Sequence, residues 1–216
     1  MDARVTVLGS RNSYINQMLY EMREVGIQQD RQRFRLNMEK LGEILAYEIS
    51  RELPYRAQQV QTLLGELEMQ VPAEQPVVVS ILRAGLPLHN GFLRLMDRAD
   101  NGFISAYRHH THGNEFIVKI EYLAIPDVAG RILVLLDPMI ATGKSMVLSY
   151  RAIAENGPPA RVLIGGAVAS EEGMEYVLRH IPQARLIVAA VDRELTAKSY
   201  IVPGLGDAGD LAFGPK

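Results

Sequence analysis

The chain has 216 residues, 48% of them apolar, a formal net charge of −2 and no cysteine. That apolar fraction excludes a disordered chain, the charge offers no broad basic surface for nucleic acid, and the missing cysteine removes disulfides, thiol nucleophiles and cysteine-based zinc sites. No apolar run approaches the ~20 residues of a membrane span, and the first ten residues lack the basic-then-apolar order of a secretory leader. The expectation is a cytoplasmic enzyme with a substantial core in one domain over 1–216, and with neither nucleic acid nor membrane as a partner.

In chain order, apolar residues at helical spacing predict helices over 15–25 and 33–51, the second with Leu41, Ile44, Leu45 and Ile49 on one face. Their role is packing, within the chain or between subunits. Residues 60–71 alternate around Leu64-Gly65 and read as a β-hairpin arm, with a helix as the alternative. A buried-type strand at 77–82 runs into Arg83-Ala84-Gly85, followed by a helix at 86–97. Strands are expected at 102–107, 131–137, 161–168 and 185–191, and helices at 145–156 and 171–180. This alternation predicts an α/β fold, a parallel sheet covered by helices on both faces. A helical segment at 1–55 precedes it and a tail at 192–216 follows. Ligands of such sheets sit beyond the C-terminal ends of the strands, where Arg83, Arg108 and Asp137 all fall.

The densest chemistry lies at 131–145. A strand closes on Asp137-Pro138, the small turn Ala141-Thr142-Gly143 follows, and a helix opens at Ser145. The turn's N–H groups and the helix N-terminus both face an anion. The strand-end acid can hold a hydroxyl or a metal-bound water, so the segment suits a sugar phosphate. Gly143-Lys144-Ser145 imitates the end of a P-loop. That motif's first glycine falls on Pro138, whose fixed φ and missing N–H disqualify it. The plain alternative is an ordinary strand-to-helix turn. Arg83, beside Gly85, is placed to grip phosphate by its guanidinium fork, or else to serve as a salt-bridge partner. The tail from Tyr200 to Asp210 is apolar and rich in turns. It suits an ordered loop that lays backbone donors and acceptors around a small flat ligand. Alternatively Gly204, Gly206 and Gly209 supply only positive φ to a docked loop.

Four segments together resemble the uracil phosphoribosyltransferases, of the type I phosphoribosyltransferase family. They are Ile81-Leu-Arg-Ala-Gly-Leu-Pro87, Ala106-Tyr-Arg108, Asp137-Pro-Met-Ile-Ala-Thr-Gly-Lys-Ser145 and Tyr200-Ile-Val-Pro-Gly-Leu-Gly-Asp-Ala-Gly-Asp210. The resemblance implies a phosphoribosyltransferase-type fold with a β-hairpin arm or flap and a C-terminal base-binding loop. It implies transfer of ribose 5-phosphate from phosphoribosyl pyrophosphate to N1 of uracil, giving UMP and pyrophosphate, with Mg²⁺ carried mainly by pyrophosphate and water. Thr142, Gly143, Lys144 and Ser145 would cradle the 5-phosphate, in a stretch shaped by Pro138, Met139, Ile140 and Ala141. Asp137 would bind the ribose hydroxyls, and Arg83 and Arg108 the pyrophosphate. Ile201, Gly206, Asp207 and Ala208 would read uracil through the backbone, with Asp207 also near the Mg-bound pyrophosphate. Asp137, Arg83, Arg108 and Asp207 are the implied catalytic set. A homodimer or higher homo-oligomer and a GTP effector are further implications. The alternative is a same-fold sensor or regulator that binds UMP or phosphoribosyl pyrophosphate with weak or no turnover.

The chain departs from the family pattern in places. Lys144 stands where relatives carry a second glycine, so it is strained if that position needs positive φ, and otherwise adds charge near the 5-phosphate. His109, His110 and His112 follow Arg108, as a solvated flap tract or a metal site. Leu211-Ala212 replaces a basic and an apolar residue.

Overall fold

The structure, a computed structural model, describes residues 2–110 and 116–215, and the side chains of these apart from 106–110 and 116–119. The chain opens with the short strand β1 (Val5–Val7), then helices α1 (Tyr14–Arg23), α2 (Val25–Gln28) and α3 (Arg31–Ser50). A hairpin of β2 (Tyr55–Gln61) and β3 (Glu66–Pro72) follows. The remaining elements alternate: β4 (Val77–Leu82), α4 (Gly85–Leu95), β5 (Asp100–His110), β6 (Phe116–Ala124), β7 (Ile132–Leu136), β8 (Met139–Ile140), α5 (Lys144–Ala154), β9 (Arg161–Ser170), α6 (Glu171–His180) and β10 (Ala184–Asp192). The tail holds β11 (Glu194–Leu195), β12 (Ile201–Val202) and α7 (Ala208–Phe213).

The central sheet runs β1-β10-β9-β7-β4-β5-β6, with β8 beside β9. All of these neighbours are parallel except β5 and β6, which are antiparallel. The expected parallel sheet is therefore present, with one antiparallel strand at its edge. Strands β1, β6 and β8 were not legible in the sequence: β1 and β8 are too short to show a period, and residues 121–124 of β6 are exposed, without an alternating apolar face.

Alternation along the strands sorts the core into two layers. Val78, Val134 and Leu136 face α3 and α4, where they meet Leu41, Leu45, Ile49, Leu88 and Phe92. Val77, Val79, Leu133 and Leu135 face α5 and α6, against Met146, Val147, Ile153 and Val177. A strand side-chain period of about 2 with both faces covered needs an apolar run, and that run is what 132–136 supplies. Each β7 side chain is at most 1% exposed, a burial worth on the order of 1.5–3 kcal/mol apiece. The N-terminal helices bury Met22, Phe34, Met38, Leu41 and Leu45 in the first layer, so their apolar faces serve the chain's own core. The α1 helix ends at Arg23 because Glu24 is extended, and Glu24 caps α2 instead.

The segment that could be arm or helix is a hairpin, longer than expected, paired from Tyr55↔Pro72 to Gln61↔Glu66. At its tip the Thr62 Oγ1 accepts from the N–H groups of Leu64 and Gly65, each at 3.2 Å. The side chains at 63 and 64 are fully exposed.

The chain winds one way from β4 through α4 to β5, and the other way from β7 through α5 and α6 to β10. The order reverses between β4 and β7, and a crevice opens at such a switch point beyond the strand ends. The two residues that lead out of these strands are Arg83 and Asp137. Among the described residues no helix is long and apolar enough to cross a membrane.

Candidate active site

The cradle is built from β7 outward. Asp137 leaves the sheet half-buried, and its Oδ1 accepts from the Met139 N–H at 3.2 Å. The Pro138 carbonyl accepts from the N–H groups of Ala167 and Val168, at 3.1 and 2.9 Å, which ties the turn to β9. Gly143 takes φ 72° and caps α5. A Cβ there would lie 2.6 Å from the Gly173 carbonyl oxygen and 2.9 Å from Val177 Cγ2. Only glycine fits both the left-handed backbone and the space.

A residue that sequence reasoning missed holds this turn. Ser170, wholly buried at the end of β9, donates from Oγ to the Ala141 carbonyl at 2.5 Å and accepts from the Gly173 N–H at 2.8 Å. It thereby caps α6 and fastens that helix behind the cradle. A Cβ on Gly173 would sit 2.1 Å from the Ala141 oxygen, so α6 can approach only through a glycine. The available signal was a serine before Glu171-Glu172, a helix-start pattern.

The result is a turn at 141–143 facing the first turn of an 11-residue helix, whose N-terminal dipole and unsatisfied N–H groups favour an anion. Thr142 Oγ1 accepts from the Lys144 N–H at 3.4 Å. Lys144 is exposed and Ser145 half-buried. Lys144 is the first residue of α5, and among the described residues Ser199 alone combines a side chain with positive φ. The strain alternative for Lys144 is thus removed.

Arg83 follows a cis Leu82–Arg83 peptide and is half-buried. Its Nη2 donates to Asp210 Oδ1 at 3.2 Å and to the Gly214 carbonyl at 3.3 Å, so the end of β4 meets the tail. Its Nε is buried with no hydrogen-bond partner among the described residues. Both readings of Arg83 therefore meet an observation. The ion pair is 39% and 44% exposed at its two side chains. Pairs so exposed are worth about 0–1 kcal/mol, which leaves the guanidinium open to a competing phosphate.

The tail is more ordered than a loop. Asp207 Oδ1 accepts from the Gly209 and Asp210 N–H groups at 2.8 and 3.0 Å and so starts α7, a helix the glycine content had hidden. Ile201 and Ala208 are buried, while Gly206 and Asp207 are exposed. A cavity of about 310 Å³ separates the tail from α2 and α3, lined among others by Gln28, Arg31, Leu205, Gly206, Asp207 and Asp210. No cradle residue lines it. Behind the tail stand Arg23, Gln28 and Asp192, none of which the sequence pointed to. Asp192 closes β10 as Asp137 follows β7, and the same pattern of an acid at the end of an apolar strand could have found it.

Arg108, His109 and His110 lie in β5, whose backbone pairs Arg108 with Val118 of β6. Their side chains, and all of His112, are outside the described residues.

Comparison with known proteins agrees along the whole length. The model of the uracil phosphoribosyltransferase family matches residues 10–215. A protein named uracil phosphoribosyltransferase from Porphyromonas gingivalis is 46% identical over 210 residues, covering 97% of each chain. One of the same name from Pyrococcus furiosus is 35% identical over 204 residues, covering 93% of this chain and 86% of that one. The solved structure of a protein from Aquifex aeolicus superposes with a TM-score of 0.85 at 30% identity, covering 97% and 98% of the two chains. This chain therefore belongs to the uracil phosphoribosyltransferase family.

Proposed function

We propose that the chain transfers ribose 5-phosphate from phosphoribosyl pyrophosphate to N1 of uracil, giving UMP and pyrophosphate, as a step of pyrimidine salvage in the cytoplasm. The observation that carries the reading is the meeting at the switch point of three pieces: the cradle at 141–145, the end of β4 at Arg83, and the tail that Arg83 contacts through Asp210. A sugar phosphate, its leaving group and a flat base require three adjoining subsites of this kind. Both core layers share the one sheet, which supports a single domain over 1–216.

In the reaction the N1–C1′ bond forms as the bond from C1′ to the pyrophosphate oxygen breaks. The bonding pair leaves with pyrophosphate, and the N1 proton is released. Positive charge grows on the ribose and negative charge on the departing oxygens, so the protein's work is positioning and electrostatics. Thr142, Gly143, Lys144 and Ser145 hold the 5-phosphate at the start of α5, with Pro138, Met139, Ile140 and Ala141 shaping the approach. Asp137 orients the ribose hydroxyls. Arg83 and Arg108 bind the pyrophosphate, Arg83 through the exposed part of its guanidinium. Ile201, Gly206, Asp207 and Ala208 read uracil, whose O2, N3–H and O4 alternate acceptor, donor and acceptor. A complementary backbone pattern rejects cytosine because a mismatched buried donor stays unpaired.

Mg²⁺ suits this donor set. The ion takes one or two carboxylates beside substrate phosphates and keeps several waters, and Asp207 offers one exposed carboxylate next to the tail. When bound, it neutralises the charge of the pyrophosphate. Assembly as a homodimer or higher homo-oligomer and a GTP effector complete the reading, both from the family resemblance.

The test is UMP formation with phosphoribosyl pyrophosphate and Mg²⁺, offering uracil, cytosine, orotate and hypoxanthine in parallel, with and without GTP. Turnover on uracil alone, with kcat/KM lowered about tenfold or more in Asp137→Asn and Arg83→Ala, is the expected result. Tight UMP binding without turnover on any base overturns it in favour of a sensor. Turnover indifferent to GTP removes the effector.

A further inference from the structure

Asp192 is a buried carboxylate, its residue only 8% exposed at the end of β10. Arg23, the last residue of α1, meets it with both ends of the guanidinium, Nη1 to Oδ2 at 2.8 Å and Nη2 to Oδ1 at 3.1 Å. The pair also reaches the tail. Arg23 Nη1 donates to the Gly204 carbonyl at 3.1 Å, and Asp192 Oδ2 accepts from the Gly204 N–H at 2.9 Å. One ion pair thus satisfies both backbone groups of a single tail residue. The next residue is held as well. Gln28, buried in α2, with its amide in the orientation that satisfies its neighbours, donates to the Leu205 carbonyl at 2.8 Å and to the Met22 carbonyl at 3.2 Å.

A buried ion pair is weak evidence for stability, because dehydrating the two charges offsets most of their attraction. Its value here lies in placement. Gly204 takes φ 57°, and a Cβ on it would lie 2.1 Å from the Ile201 carbonyl oxygen, so no side chain of its own can anchor this turn. The stretch Gly204-Leu-Gly206 also loses much backbone freedom on ordering. Reading a base by backbone groups requires those groups to be held to within about 0.5 Å.

We infer that Arg23, Asp192 and Gln28 form a clamp on Gly204 and Leu205 that fixes the register of the adjoining Gly206-Asp207-Ala208, making them positioning residues for uracil. The inference deepens the function proposed above and rests on it. The planar fork of arginine is what lets one side chain hold a carboxylate twice and a carbonyl besides, and lysine cannot reproduce it.

Arg23→Lys and Gln28→Met keep most of the packing and test the clamp in two ways. In steady-state kinetics the KM for uracil rises about tenfold and the preference over cytosine falls, while the KM for phosphoribosyl pyrophosphate, which of Gly206, Asp207 and Ala208 only Asp207 approaches, rises by no more than about threefold. In the free protein, amide hydrogen exchange speeds up at 204–208 and stays slow in β7. A merely structural pair lowers the melting temperature and moves both KM values together or neither. That result, or tail exchange as slow as in the unaltered protein, overturns the inference. If the unaltered protein makes no UMP, the functional reading fails separately, and the exchange measurement still decides the clamp.

Discussion

Lys144 shows how one residue's backbone decides between two readings of its side chain. Because it sits in the right-handed first turn of α5, glycine there relieves no strain and instead adds backbone entropy, at about 0.5–1 kcal/mol. What Lys144→Gly removes is a cation beside the cradle. The expected result is a two- to fivefold rise in the KM for phosphoribosyl pyrophosphate, roughly what an exposed charge contributes. An unchanged or lower KM contradicts it. Asp137→Asn keeps the shape and an acceptor for the Met139 N–H but loses the charge offered to the ribose hydroxyls. A charged hydrogen bond of about 1.5–3 kcal/mol predicts a roughly 10- to 100-fold fall in kcat/KM, measured at unchanged melting temperature.

His89 is a different kind of residue, a core histidine outside the mechanism proposed above. Its Nδ1 lies 2.8 Å from Ser80 Oγ and its Nε2 3.4 Å from Asn101 Oδ1, in a position 1% exposed. Burial pushes its pKa below the usual 6.5, against a smaller raising effect of Asn101. The sign follows from proton counting. Below pH 6.5 the unfolded chain takes up a proton that the folded chain refuses, so stability present above that pH is lost as the pH falls through this range. Urea midpoints between pH 7 and 5 should fall less steeply in His89→Gln than in the unaltered protein. Equal slopes rule His89 out as the cause.

Among elements, α6 acts as the cradle's backing, and Ser170 is its fastening. Ser170→Ala removes a helix cap, at about 0.5–2 kcal/mol, and also frees the Ala141 carbonyl. Gly173→Ala drives a methyl against the same carbonyl. The two variants should therefore lose stability and raise the KM for phosphoribosyl pyrophosphate together, with the KM for uracil little changed. Thermal melts and substrate titrations check the pairing, and a stability loss with both KM values intact disconnects α6 from the site.

In the molecule as a whole Arg83 and Asp137 leave the sheet at a seam between its two windings, with the N-terminal helices bracing the C-terminal tail. Arg35 reaches from α3 to the Ala212 carbonyl at 2.6 Å, as Arg23 reaches from α1 to the Gly204 carbonyl and Gln28 from α2 to the Leu205 carbonyl. The β2–β3 hairpin stands apart, with an unburied tip. An isolated two-stranded hairpin is marginal in water, which accords with the proposed homo-oligomer. Light scattering should give at least twice the chain's 24.0 kDa. A monomer at micromolar concentration removes that part of the reading.

The amino-acid sequence by itself determined the apolar strands, read at 77–82 and 131–137, the exclusion of a P-loop by Pro138, the strand-end acid and arginine, and the glycine-rich tail. Each of these is written within about ten residues, where side-chain period and turn chemistry act. Only the tertiary structure decided that β6 runs antiparallel, that α7 forms in the tail, that Lys144 is unstrained, that Ser170 meets the Ala141 carbonyl and that Asp192 meets Arg23 and Gly204. Arg23 and Asp192 are 169 residues apart, and Ser170 and Ala141 are 29 apart. No local pattern encodes such a meeting, because it depends on how the sheet's strand order folds the chain back on itself.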